Sequence, residues 1–176
     1  MDRKADGPIF LVAMGKAKGS AGTPATLALT RAGVTFGLHP YEHDPGVGAY
    51  GIEAADALGV PHERVFKTLV AQVDDRLMVA IVPVDAQLDL KALAAVIGGK
   101  RAVMAEVAVA ERTTGYVAGG ISPFGQRKRL PTVLDETALL HPTVFVSAGR
   151  RGLDVEVRPT DLVNMTSAST APIARR

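Results

Sequence analysis

Val65-Phe66-Lys67-Thr68-Leu69-Val70-Ala71-Gln72-Val73-Asp74-Asp75-Arg76-Leu77-Met78-Val79-Ala80-Ile81-Val82-Pro83-Val84 is where the architecture of this chain is most legible. Branched side chains crowd both halves, and the acidic pair Asp74-Asp75 interrupts them. The pattern predicts strands over Val65–Val73 and Leu77–Val84, closed into an antiparallel hairpin. Upstream, Thr23 caps a predicted helix that has Pro24 at its first position and ends at Gly33. A short strand over Phe36–His39 is broken by Pro40, and a helix over Ile52–Leu58 stops at Gly59. Downstream, Asp89 caps a helix over Leu90–Ile97 ahead of Gly98-Gly99, and a further short helix is predicted over Ala105–Glu111. Gly115–Gly125 reads as a shaped loop. Strands follow over Thr132–Leu134, Thr143–Ser147 and Leu153–Val157, the last two flanking the turn Gly149-Arg150-Arg151-Gly152. Thr160 onward reads as one short helix and a frayed tail. Hairpins alternating with short helices define an α+β domain with a mixed sheet and argue against a doubly wound parallel one.

At 176 residues the chain fits one domain. We place that domain at 23–176, after a loosely ordered leader over 1–22. Hydrophobic residues at 47% against 22% charged support a packed core and exclude bulk disorder. The absence of Cys removes disulfides, thiolate metal sites and a protein thiol nucleophile. The apolar run Ile9–Met14 is too short for a signal-peptide core or a membrane span, so a cytoplasmic protein is expected. Lys and Arg exceed Asp and Glu by only two, yet basic residues cluster at Lys100-Arg101, Arg127-Lys128-Arg129 and Arg150-Arg151. Each cluster is either a solvated turn or a dock for a few phosphates.

Gly46-Val47-Gly48-Ala49-Tyr50-Gly51 spells G-x-G-x-x-G, but Asp44-Pro45 stands where a dinucleotide fold needs an apolar strand. A nicotinamide cofactor is therefore rejected, and no other cofactor is expected. His39 and His43 lie four apart, but Pro40 forbids the helix that would make the spacing meaningful for zinc. His62 and His141 stand alone in sequence, and Ser122 lacks the G-x-S-x-G elbow. Lys67 differs, because strand periodicity puts it on the face of Val65, Leu69 and Ala71. Such a cation either snorkels from an edge or points into a cleft. Thr68, Tyr41, Tyr50 and two Gly-rich loops with backbone N–H groups to offer favour the cleft.

Taken in order, Tyr41-Glu42-His43-Asp44-Pro45, Val65-Phe66-Lys67-Thr68-Leu69 and Gln87-Leu88-Asp89-Leu90-Lys91 form the first part of a recognisable series. Thr114-Gly115-Tyr116 through Gly119-Gly120-Ile121-Ser122-Pro123, Gln126 to Pro131 and Ser147 to Asp154 complete it. From about Thr23 to Ile173 the chain resembles the YbaK-type aminoacyl-tRNA deacylases, relatives of the prolyl-tRNA synthetase editing domain. The resemblance implies a mixed, partly closed β-barrel-like sheet surrounded by short helices. It also implies trans-editing hydrolysis of mischarged tRNA, chiefly Cys-tRNA(Pro). Lys67 matches the family's essential lysine, and Gly119 begins its G-x-x-x-P loop, which runs through Gly120 and Ser122 to Pro123. Tyr41, Thr68, Ser147 and Asp154 fall on pocket positions, and Tyr50 stands where members often carry Phe. Arg127, Lys128, Arg129, Arg150 and Arg151 are the candidate tRNA contacts. Expected partners are aminoacyl-tRNA and prolyl-tRNA synthetase in a transient ternary complex, with no DNA and no membrane; a monomer is expected. Two other classes remain open: a non-catalytic RNA-binding domain, and a Schiff-base enzyme using Lys67. With no convincing protein nucleophile, the substrate's own thiol is a candidate attacking group.

Overall fold

A computed structural model describes residues 22–176; the leader expected over 1–22, save Gly22, lies outside the described residues. Helix α1 spans Pro24–Arg31, with Thr23 Oγ1 accepting from the Thr26 N–H at 3.2 Å. The same hydroxyl donates to the Ala148 carbonyl, tying the start of the helix to a distant strand. Strand β1 covers Gly37–Pro40 and helix α2 covers Tyr50–Leu58. Pro40 is thus the last strand residue rather than a breaker, as suits proline on an edge.

The hairpin forms as its sequence predicts, with β2 (Phe66–Val73) antiparallel to β3 (Arg76–Pro83). Asp74 takes a left-handed φ of 53° in the turn, tolerable for Asp. The Asp74 carboxylate accepts from the Lys100 and Arg101 N–H groups, so this acid latches a loop and serves no ribose. After β4 (Gln87–Leu88) comes α3 (Leu90–Val96), capped by Asp89 through the Ala92 N–H at 3.0 Å.

The next helix departs from expectation. Residues Ala102–Met104 form strand β5 along β2, and the Ala105 N–H still donates to the Val70 carbonyl. Helix α4 therefore starts later, at Val107, and runs to Thr114, where Gly115 ends it at φ 81°. Strands β6 (Thr132–Asp135), β7 (Val144–Arg150) and β8 (Leu153–Val157) follow, then α5 (Pro159–Thr166), β9 (Ser169–Ala171) and β10 (Ala174–Arg175).

The expected frayed tail is a correction. β9 pairs with β6 and β10 with β4. Buried Asp135 accepts from the Ile173 N–H at 3.0 Å and the Ala174 N–H at 2.8 Å, and charge-assisted bonds of this kind are strong. Ile173 itself is fully buried.

The strands fall into sheets ordered β5-β2-β3-β6-β9, β1-β8-β7 and β4-β10. The main core lies between the first two, with Phe66, Val70 and Ile81 facing Val144, Val146 and Val155, while α1, α5 and Phe124 fill the rim. A second cluster packs α3 on the other face of the larger sheet. The sheet expected to be partly closed is not closed. Among the described residues, one parallel bridge, Val65 to Phe145, joins the two larger sheets. Because β5 reaches only Ala71–Val73 on the free side of β2, the edge beyond the bridge lacks a neighbouring ladder. That gap opens onto the cleft.

Candidate active site

A cleft of about 290 Å³ is lined by Val65, by Phe66–Leu69 of β2, by the start of α2, and by Tyr41, Gly119, Ile121, Ser147 and Asp154. Such a volume lies near the lower end of small-molecule sites. Each wall has a local cause. Tyr41 continues β1 and is held by its N–H donating to the Gly152 carbonyl at 2.9 Å. Gly51 lets α2 lie against Val84, just past the end of β3, since a Cβ there would stand 2.3 Å from Val84 Cγ1. Ser147 and Asp154 are direct cross-strand partners on β7 and β8, so both point to the same side of the small sheet.

The opposite lip is the Gly119 loop. Gly119 adopts φ 82°, and a Cβ there would stand 2.8 Å from the Tyr50 ring, so glycine is required twice over. The Tyr50 ring is sandwiched further: the Arg151 guanidinium carbon lies 4.8 Å from its centroid, and Arg151 Nε donates to the Ala118 carbonyl at 2.8 Å. His43 packs 5.7 Å from Tyr50 and bonds Glu53 at 2.8 Å, while Glu53 also accepts from the Asp44 N–H. The glycine-rich loop before α2 is thereby pinned to the helix it precedes.

Burial lowers the Lys67 ammonium from its ordinary pKa, and the Asp85 carboxylate opposes that shift. Asp154 is buried, and loss of solvent pushes its carboxyl up to about 7. Tyr41 is raised to about 12, first by burial and then by the Asp154 carboxylate. Thr68 Oγ1 is buried without a hydrogen-bond partner among the described residues. The cleft thus holds a cation, a reluctant carboxylate and an unfilled hydroxyl.

Lys67, Gly119, Tyr41, Tyr50, Thr68, Ser147 and Asp154, expected at the site, all line the cleft. Gly120, Ser122 and Pro123 do not. The Gly120 N–H donates to the Val117 carbonyl at 2.9 Å, closing the loop's own turn. Ser122 is fully buried, its Oγ accepting from the Phe124 N–H and its carbonyl from Gln126 Nε2. These residues shape the loop from behind. Arg127, Lys128 and Arg129 are exposed but line no part of the cleft, and Arg129 bonds Ser167 Oγ at 2.6 Å. Exposed Arg151, on Tyr50, touches the cleft wall. Sequence reading missed Ile52, Leu69, Val84 and Ile121 as liners, since apolar residues carry no mark that separates a pocket from a core. Three of the four histidines make separate pairs, His39 with Glu156, His43 with Glu53 and His62 with Asp56. The described residues hold no group of three ligating side chains.

An α+β fold whose sheets part around a small polar cleft, with a lysine on one wall and a glycine loop on the other, suits a compact ligand-processing domain. The sequence model of the aminoacyl-tRNA editing domain matches residues 45–165, and the chain belongs to that family. It is 40% identical over 124 residues, 69% of its own length and 75% of the relative's, to an Enterococcus faecalis protein named "Putative Cys-tRNA(Pro)/Cys-tRNA(Cys) deacylase EbsC". A crystal structure described as "a putative trans-editing enzyme for prolyl tRNA synthetase" superposes with TM-score 0.75 at 25% identity, covering 89% of this chain and all of the other. The hypothetical protein APE2540 shares the fold, with TM-score 0.79 at 23% identity over 87% of this chain and the whole of that one. No helix of the described residues is long and apolar enough to cross a membrane.

Proposed function

We propose that this chain is a trans-editing deacylase that cleaves the ester of mischarged aminoacyl-tRNA, chiefly Cys-tRNA(Pro). The observation that carries this reading is Lys67, a half-buried cation inside a cleft of about 290 Å³, a size that suits a small aminoacyl group with its terminal nucleoside at the mouth. Editing by a second site answers a physical limit. One methylene contributes only ~1–3 kcal/mol of discrimination in a synthetase pocket.

In this reading the cysteinyl side chain enters between Ile52, Leu69 and Val84, and Lys67 grips the terminal phosphate or carbonyl oxygen. No described residue accepts from the Gly119 or Ile121 N–H, which leaves these groups to meet a developing oxyanion. The substrate's Sγ attacks its own carbonyl carbon, the bond to the ribose oxygen breaks, and that oxygen takes the proton released by the thiol. The products are a thiolactone and free tRNA; water then opens the thiolactone to cysteine. A thiol has a reference pKa of about 8.5, and a site that folds it back on the carbonyl supplies proximity instead of a base. Arg150 and Arg151 follow the acceptor end, and prolyl-tRNA synthetase supplies tRNA identity in a transient complex with the monomer.

Turnover of Cys-tRNA(Pro) and Ser-tRNA(Pro) by the purified chain tests this directly. Cysteine is expected to be released much faster than the nearly isosteric serine, with thiolactone trapped early. Equal rates would sink the thiol route, and no release from either would sink the deacylase.

A further inference from the structure

The outer face of β8 carries Asp154 and Glu156, alternate residues of one strand. Glu156 is fully engaged: its Oε2 bonds His39 Nε2 at 2.9 Å, and its Oε1 accepts from Thr143 Oγ1 at 2.6 Å and lies 3.5 Å from Arg64. Asp154 has nothing comparable. It is 4% exposed, lines the cleft, and receives no hydrogen bond from any described residue. A carboxylate this little exposed, reached only through the cleft and given no donor by the described residues, is poorly solvated and gains from a cation that enters to pair it.

The groups facing Asp154 are few. His39, its cross-strand partner on β1, is taken by Glu156. Ser147, its partner on β7, accepts from the Gly149 N–H at 3.2 Å. Tyr41 is kept protonated by its raised pKa. Lys67 shares the cleft without an ion pair to Asp154.

We infer that Asp154 is the receptor for the free α-ammonium group of the bound aminoacyl ester, so that N-acylated esters, peptidyl-tRNA among them, are refused. This rests on the editing reading, because an α-ammonium is the cation every aminoacyl-tRNA brings to such a cleft. It adds a requirement that the side-chain pocket alone does not impose. Recognition fails for an amine blocked by an acyl group and for a substrate that lacks one.

The test is equilibrium binding of two stable adenosine 3′-amides, one carrying cysteine and one carrying 3-mercaptopropionate. They differ only by the α-amine, and the second is smaller, so steric exclusion is removed from the comparison. The wild-type chain is expected to bind the cysteinyl compound on the order of tenfold to a hundredfold more tightly, as a charge-assisted bond allows. The gap should narrow as pH falls through about 7, where Asp154 takes up a proton, and close in Asp154→Asn. Equal affinities in the wild type, or an undiminished gap in Asp154→Asn, would overturn the assignment. Because the amides are not cleaved, failure of Cys-tRNA(Pro) turnover with the binding gap intact would fall on the editing reading alone.

Discussion

Asp154 costs the fold something, and the cost has a definite pH dependence. Below its ordinary value of 3.8 the carboxyl is protonated in both folded and unfolded chains, and burial carries no charge penalty. Between there and about 7 the folded chain keeps a proton that the unfolded chain has released. Stability therefore falls as pH rises across that window and levels off above it. At about 1.4 kcal/mol for each pKa unit, the span amounts to on the order of 4 kcal/mol. Asp154→Asn is expected to melt several degrees above the wild type at pH 8 and with it at pH 4. An equal shift at both values would mean that burial of the charge is not the cause. Lys67 follows the same logic with the opposite sign, since burial disfavours its protonated form. Lys67→Ala is accordingly expected to keep stability within ~1 kcal/mol while abolishing deacylation. An active, folded variant would remove Lys67 from the chemistry.

Two elements have tight tolerances. The Gly119 loop holds the lip of the cleft through a left-handed residue lying against the Tyr50 ring. In Gly119→Ala the backbone penalty of about 1 kcal/mol adds to a clash that displaces either the loop or Tyr50. Turnover is expected to fall at least tenfold, and Tyr50→Ala in the same chain should recover part of the stability but little of the activity. Calorimetry beside single-turnover rates separates the two. At the other end of the molecule, the terminal strand β10 is stapled by Asp135, which also accepts from the Thr137 N–H at 3.1 Å. Asp135→Ala leaves buried donors unsatisfied at about 1–3 kcal/mol each. Urea unfolding should show a loss of roughly 3 kcal/mol or more; a loss under 1 would show that the tail is held by Ile173 packing instead.

At the scale of the whole molecule, charge is thinly spread. Residues 1–21 hold Arg3, Lys4, Lys16 and Lys18 against Asp2 and Asp6, so the formal excess of +2 falls in that segment and 22–176 is balanced. With few phosphates engaged, few counterions are released on tRNA binding. The slope of log affinity against log salt is expected to be shallow, about −2 to −3, and replacing Arg150 and Arg151 by Gln should lower its magnitude by ~1–2. A steep slope that survives the replacement would place the RNA on another face.

What could be read without a structure was local. The hairpin followed from a run of branched residues around Asp74-Asp75, and α1 from Thr23-Pro24. The G-x-G-x-x-G stretch could be dismissed because Asp44-Pro45 precedes it. Each of these signals acts over a few residues, through φ preferences, side-chain caps and the two-residue repeat of a strand. The ordered series of motifs from Tyr41 to Asp154 also placed the chain in its family. The tertiary structure alone decided that the tail forms two paired strands, that Ser122 supports its loop from behind, and that Glu156 has hydrogen-bond partners while Asp154 has none among the described residues. It also decided where the cleft opens, just past the bridge from Val65 to Phe145, where β2 and β7 part. Lys67 and Asp154 both line it although 87 positions apart. Which strand edge stays unpaired, and which carboxylate stays unanswered, depends on packing between distant segments, and no short window of sequence carries that information.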